Sequence, residues 1–254
     1  WINIYGWIQK PSPDLKWYTT TMTNIGLDVS ILGGRVSGTL DVDNKEIKDM
    51  LYTYNVPSPP YQYNELLANG ASMTNKGVEL AVSVVAFDSH DFNWISSFNI
   101  AANKNKIGSL DSNVGNLSIS ERYVGTMSLE GWTAQTVSLI KPGSPIGTFY
   151  TFKHVGYDAE QQKTLYENKD GEIVTIDKLK APDDYQEVGQ ALPKVTFGWD
   201  NSFRYKRWDL NFFLRGAAGN KIFNASRADL SRLTPASTCN ISPDAVTDGI
   251  MEAA

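Results

Sequence analysis

The sequence predicts an all-β fold of antiparallel hairpins, and two observations carry that expectation. Thr, Val, Tyr, Trp, Phe, Gly and Asn recur along the 254 residues, which is the usage of strands and turns rather than of helices. Three pairs of segments alternate apolar and polar side chains with period 2, and a short turn joins the members of each pair.

In the first pair, Ile25, Leu27, Val29 and Ile31 share one face, with Asn24, Gly26, Asp28 and Ser30 on the other. A two-residue Gly33-Gly34 loop suits a primed turn, whose central residues both need positive φ. That closure sets Ile31 opposite Val36, Leu27 opposite Leu40 and Ile25 opposite Val42, while Ser30 meets Ser37 and Asp28 meets Thr39. One face is then apolar on both strands.

The second pair places Val78, Leu80, Val82, Val84 and Ala86 before Phe92, Trp94, Phe98 and Ile100. A three-residue loop, Ser89-His90-Asp91, puts Val82 opposite Phe98, whereas a two-residue loop would set it against Ser97, so the longer loop is expected. His90 then lies in a solvated turn.

The third pair runs from Val195, Phe197, Trp199, Phe203 and Tyr205 to Trp208, Leu210, Phe212 and Leu214 across Lys206-Arg207. Tyr205 meets Trp208, Phe203 meets Leu210, and on the polar face Arg204 meets Asp209. Asn201 falls on the apolar face as an exception. Lys-Arg is a poor primed-turn sequence, which leaves room for a bulge.

Long polar connections at about 47–75, about 105–192 and about 220–254 alternate with these tight turns. Strands of about 12 residues suffice to cross a bilayer at a tilt, which takes about 9 to 11. Phe92, Trp94, Tyr205 and Trp208 lie beside the tight turns, and Trp17 and Tyr18 open the first strand at its other end, as two interfacial belts require. The pattern therefore favours a partial antiparallel transmembrane β-barrel, a meander with short periplasmic turns and long extracellular loops. A soluble extracellular β-sandwich binding glycan or protein stays open as the alternative, since it would bury the same faces between two sheets.

Composition narrows the function. No stretch of about 18 apolar residues exists, so a transmembrane helix is excluded, but a barrel is not. The net charge of −5 and interspersed charges offer no basic stripe for nucleic acid. Cys239 is the only cysteine, so no intrachain disulfide or thiolate cluster can form. The opening Trp1-Ile2-Asn3-Ile4 reads as the start of a fragment or processed chain.

Several stretches carry a resemblance. Thr23-Asn24-Ile25-Gly26-Leu27-Asp28 with Gly34-Arg35-Val36-Ser37-Gly38 is one, and Asn75-Lys76-Gly77-Val78-Glu79-Leu80 with Asn103-Lys104-Asn105-Lys106-Ile107 another. Gly143-Ser144-Pro145-Ile146-Gly147-Thr148-Phe149-Tyr150, Leu192-Pro193-Lys194, and Arg215-Gly216 with Gly219-Asn220 complete the set. In this order they resemble the C-terminal barrel region of the SusC/RagA family of TonB-dependent transporters. The resemblance implies a large outer-membrane barrel of the Bacteroidota, a SusD-like surface lipoprotein, and TonB-driven import of oligosaccharides or peptides. It also implies that residues 1–254 supply part of the barrel, without the plug through which TonB acts and without the final strand.

No catalytic or metal-binding residue and no cofactor is expected. Nucleophile elbows, zinc-protease motifs and phosphate loops are absent from the sequence, and His90 and His154 are the only histidines. The segment from Tyr166 to Asp177 has the spacing of a calcium loop but begins on Tyr166, so an Asp170-Gly171 turn is the better reading. Tyr54, Tyr61, Tyr63, Trp132 and Tyr150, on the long connections, are the candidates for ligand or partner contact through their ring faces.

Overall fold

The structure is a computed structural model that describes residues 9–10, 12, 14–57, 59, 63–112, 119–127, 135–158, 160–161 and 163–230. Its strands are β1 (Gln9–Lys10), β2 (Thr19–Ile31), β3 (Val36–Asn55), β4 (Glu65–Asp88), β5 (Phe92–Ile107), β6 (Arg122–Met127), β7 (Gln135–Ile140), β8 (Thr148–Thr151), β9 (Lys153–Asp158), β10 (Lys163–Glu167), β11 (Ile173–Thr175), β12 (Gln186–Gln190), β13 (Val195–Tyr205) and β14 (Trp208–Ala218), followed by helix α1 (Ala225–Leu230). The chain divides into two compact units.

The first unit is a sheet in the order β14-β13-β5-β4-β3-β2, with β1 added in parallel to β4. Its neighbours along this order are antiparallel, and β2 and β14 are open edges. The first hairpin has the expected register from Ile31–Val36 to Ile25–Val42. Gly33 and Gly34 both have positive φ, 65° and 88°, and Leu32 joins them at 55°. The third hairpin is unbroken from Tyr205–Trp208 to Val195–Ala218. No bulge intervenes, and the awkward turn sequence is accommodated by Lys206 at φ 53°.

The second hairpin reaches its expected register by a different turn. Val82 pairs with Phe98 and Leu80 with Ile100, yet the Ser89 N–H donates to the Phe92 carbonyl at 2.9 Å, closing a two-residue His90-Asp91 loop. A bulge between Val85 and Phe87 absorbs the residue that a three-residue loop would have held. The expected loop length is thus corrected, and the facing of the side chains is kept.

The connection expected at 47–75 is mostly strand, because β3 and β4 continue as a ladder and leave only 56–64 between them. Alternation persists there, and it buries Tyr54, Val56, Leu66 and Ala68 in a small core with Tyr52, Tyr63 and Ile119 against it. A bulge at Lys48-Asp49 interrupts the ladder, with Asp49 at φ 58°. Asn69, 1% exposed, secures it: its Nδ2 donates to the Asp49 and Lys16 carbonyls at 2.7 and 2.8 Å, and its Oδ1 accepts from the Lys16 N–H at 2.8 Å. Next to it, a Cβ on Gly70 would overlap the Asp111 carbonyl, so only glycine lets the two backbones approach.

The second unit holds most of the connection expected at 105–192, which is not a plain loop. It folds into a sheet β12-β8-β7-β6 and a smaller sheet β11-β10-β9. Of the connection expected at 220–254, helix α1 is described, and residues 231–254, with Cys239, lie outside the described residues.

Candidate functional site: a wall with two faces

Register fixes what each side of the large sheet presents. One face carries Ile25, Leu27, Leu40, Val42, Val78 and Leu80, then Phe98, Ile100, Phe197, Trp199, Phe212 and Leu214 across the remaining strands. These side chains are not covered by a second layer: Ile25 is 72% exposed and Leu27 58%, with Leu40 and Val42 also exposed. A water-soluble sandwich would bury them at roughly 25 cal/mol per Å² of apolar area. The band has the height of a membrane core, since the 11 residues of β13 span about 33 Å of strand, or roughly 24 Å at the tilt of barrel strands.

Beside the tight turns this face becomes aromatic. Phe87 stacks on Trp94 and Trp94 on Phe203, with centroids 6.4 and 5.3 Å apart, and Phe203 stacks on Phe212 at 5.9 Å. Two polar residues interrupt it, Ser96 and Asn201, and they face each other across β5 and β13. The Trp94 Nε1–H donates to Asn201 Oδ1 at 3.1 Å, and the Trp199 Nε1–H donates to Ser96 Oγ at 2.9 Å. The exception noticed in the sequence therefore supplies an acceptor to an indole that would otherwise lack one on an apolar face.

The opposite face is polar along the same registers. Asp28, Asp41, Asp43 and Glu79 lie on β2, β3 and β4, and Arg204 and Arg215 lie on β13 and β14. Ser30, Ser37, Ser83 and Ser97 form one cross-strand row, with Ser83 and Ser97 hydroxyls 2.9 Å apart. Such a surface can hold water and polar solutes in passing. Among the described residues no group of three or more His, Cys, Asp or Glu is placed to hold a metal ion.

The residues singled out for ligand contact fare differently. Tyr54 is 1% exposed, so it serves the small core of β3 and β4 and cannot offer a ring face, which corrects that expectation. Burial, and then the charge of Asp111, push its hydroxyl up to about 12. Tyr63 packs half-buried against the same core. Tyr61 and Trp132 lie outside the described residues.

Tyr150 belongs to an aromatic chain in the second unit: Tyr123, Tyr150, Tyr185, Phe152, Tyr166 and His154, with successive centroids 4.7 to 6.3 Å apart. Most of these contacts are edge-to-face, so the rings largely serve one another. The period-2 spacing of Tyr150, Phe152 and His154 was the available sequence signal. Nearby, Asp184 accepts from the Lys180 and Lys169 N–H groups at 2.8 and 3.3 Å, and the first of these bonds above all holds its carboxyl below the usual range. The segment 166–177 is a tight turn in which Asn168 Oδ1 accepts from the Asp170 and Glu172 N–H groups.

Comparison with known proteins agrees with the geometry. The family described as TonB dependent receptor-like, beta-barrel matches residues 2–215. A TonB-dependent receptor of Formosa agariphila is 29% identical over 85% of this chain and 22% of its own length. The TonB-dependent receptor SusC of Bacteroides thetaiotaomicron is 28% identical over 83% of this chain and 20% of its own length. Among solved structures, the RagAB peptide transporter superposes with a TM-score of 0.69 at 22% identity, covering 88% of this chain and 24% of that one. The chain thus spans about a fifth of the length of the curated relatives it matches. It belongs to the TonB-dependent receptor β-barrel family, and its large sheet is part of such a barrel's wall.

Proposed function

We propose that this chain is a section of an outer-membrane importer for oligosaccharides or peptides, driven through TonB and closed on the outside by a SusD-like lipoprotein. The observation that supports the reading is the single sheet with an uncovered apolar face and a polar face. Water on both sides does not favour that distribution, whereas hydrocarbon on one side and a wet lumen on the other does. The polar face then lines the solute path, and the tight turns face the periplasm. The chain itself performs no catalysis in this scheme, because import needs selective passage and not bond making.

The RagAB neighbour is a peptide transporter, which supports the peptide reading, and the oligosaccharide reading rests on the resemblance to the SusC/RagA family. Uptake of a fluorescent oligosaccharide and of a fluorescent oligopeptide, in cells with and without the intact receptor that carries this segment, tests the proposal. Receptor-dependent uptake of one of them, abolished by a protonophore, is expected. Recovery of the receptor in the soluble fraction would contradict it.

A further inference from the structure

The apolar face ends on a row of different chemistry. Beyond Ile25, Val42, Val78 and Ala102, the next outward positions are Thr23, Asn44, Lys76 and Lys104, and the row after that holds Thr21, Glu46, Thr74 and Lys106. Lys76 and Lys104 are direct cross-strand partners, and Lys106 follows two residues on from Lys104. Like charges directly opposite each other destabilise a sheet unless an anion lies between them. All three lysines are exposed, and among the described residues none pairs with a carboxylate. Glu46, the acid on the same face, is 3.3 Å from Lys48.

The position of this cluster matters as much as its charge. It lies at the end of the sheet away from the tight turns, one to two rows past an apolar band of membrane height, so it sits at headgroup level. We propose that Lys76, Lys104 and Lys106 form a docking surface for the phosphorylated headgroup of an outer-leaflet lipid whose acyl chains lie along Val42, Val78 and Leu80. The occupant follows from charge complementarity and continuity: the lysines call for an anion with several acceptor oxygens, and the band below them calls for hydrocarbon on the same molecule. This rests on the bilayer reading of the sheet.

The test uses the intact receptor that carries this segment, in phosphatidylcholine nanodiscs doped with phosphorylated lipid A or with the same lipid after phosphate removal, and counts retained lipid by native mass spectrometry. The phosphorylated form is expected to be held preferentially. Each of Lys76→Gln, Lys104→Gln and Lys106→Gln should weaken retention about fivefold, and all three together on the order of a hundredfold. The triple arginine variant should keep it. Displacement of the lipid by an equal concentration of inorganic phosphate would mark a free-anion site and overturn the proposal. A receptor that does not enter the nanodisc overturns the barrel reading as well, whereas one that inserts and holds both lipid forms equally overturns the docking surface alone.

Discussion

Asn201 and Ser96 face each other in register on the apolar side of the sheet, and each accepts the indole N–H of a tryptophan from the other's strand. Asn201 is 1% exposed beneath the aromatic stack. Hydrocarbon offers no substitute acceptor for Trp94, so removing the amide leaves a buried donor unpaired. Asn201→Leu is expected to destabilise the folded receptor by about 1–3 kcal/mol, read as a lower unfolding midpoint in detergent. Asn201→Gln, which can present the same oxygen, should recover part of the loss.

Asn69 closes a similar polar account at the other end of the sheet, where it holds Lys16 and Asp49 by three hydrogen bonds. Asn69→Leu strands two carbonyls and an N–H, and a cost of about 2–4 kcal/mol is expected. Asn69→Asp keeps the acceptor but turns a carboxylate oxygen toward two carbonyls, so it should also destabilise despite its matching shape. Limited proteolysis reads the effect directly: cleavage near residues 14–18 should accelerate in both variants while the turns at Gly33-Gly34 and Lys206-Arg207 stay as resistant as before.

Tyr54 makes the outer end of the sheet sensitive to alkali. Its hydroxyl titrates at about 12 in the fold against an ordinary value of 10.0, and it makes no hydrogen bond among the described residues. A raised folded-state value means that the neutral form is favoured on folding, so the contribution is full below pH 10 and is lost as the pH climbs towards 12. Absorbance titration of tyrosinate should show one phenol fewer near pH 12 in Tyr54→Phe than in the parent. The variant should also keep its outer-end stability further into alkali. Equal titration curves for both proteins would contradict the burial of this side chain.

Much of this architecture was legible in the sequence because period-2 alternation and turn chemistry act locally. The register of Leu27 with Leu40, Val82 with Phe98 and Phe203 with Leu210 follows from which residues must share a face. The mechanism of the second turn was not legible, since a bulge at Ala86 and a two-residue loop produce the same distal facing as a three-residue loop. The outer extension of β3 and β4 was hidden for another reason. Tyr52 and Tyr54 alternate as strand residues do, but the prolines that follow and the sparse apolar content resemble a loop until their partners Leu66 and Ala68 are brought alongside. The burial of Tyr54 and the ring chain around Tyr150 likewise depend on contacts between distant segments, to which spacing along one strand is blind.

The apolar face of the sheet is expected to meet lipid, and alternating collision accessibility measures that contact most directly. Spin labels would be placed singly at Leu27, Leu40 and Leu80, and at Asp28, Thr39 and Ala81, in the intact receptor in bilayers with Cys239 and every other native cysteine replaced. The first three labels should collide mainly with dissolved oxygen and the second three mainly with a water-soluble nickel chelate. Labels at Leu27, Leu40 and Leu80 that meet the chelate as freely as those at Asp28, Thr39 and Ala81, or that meet neither reagent, would contradict it.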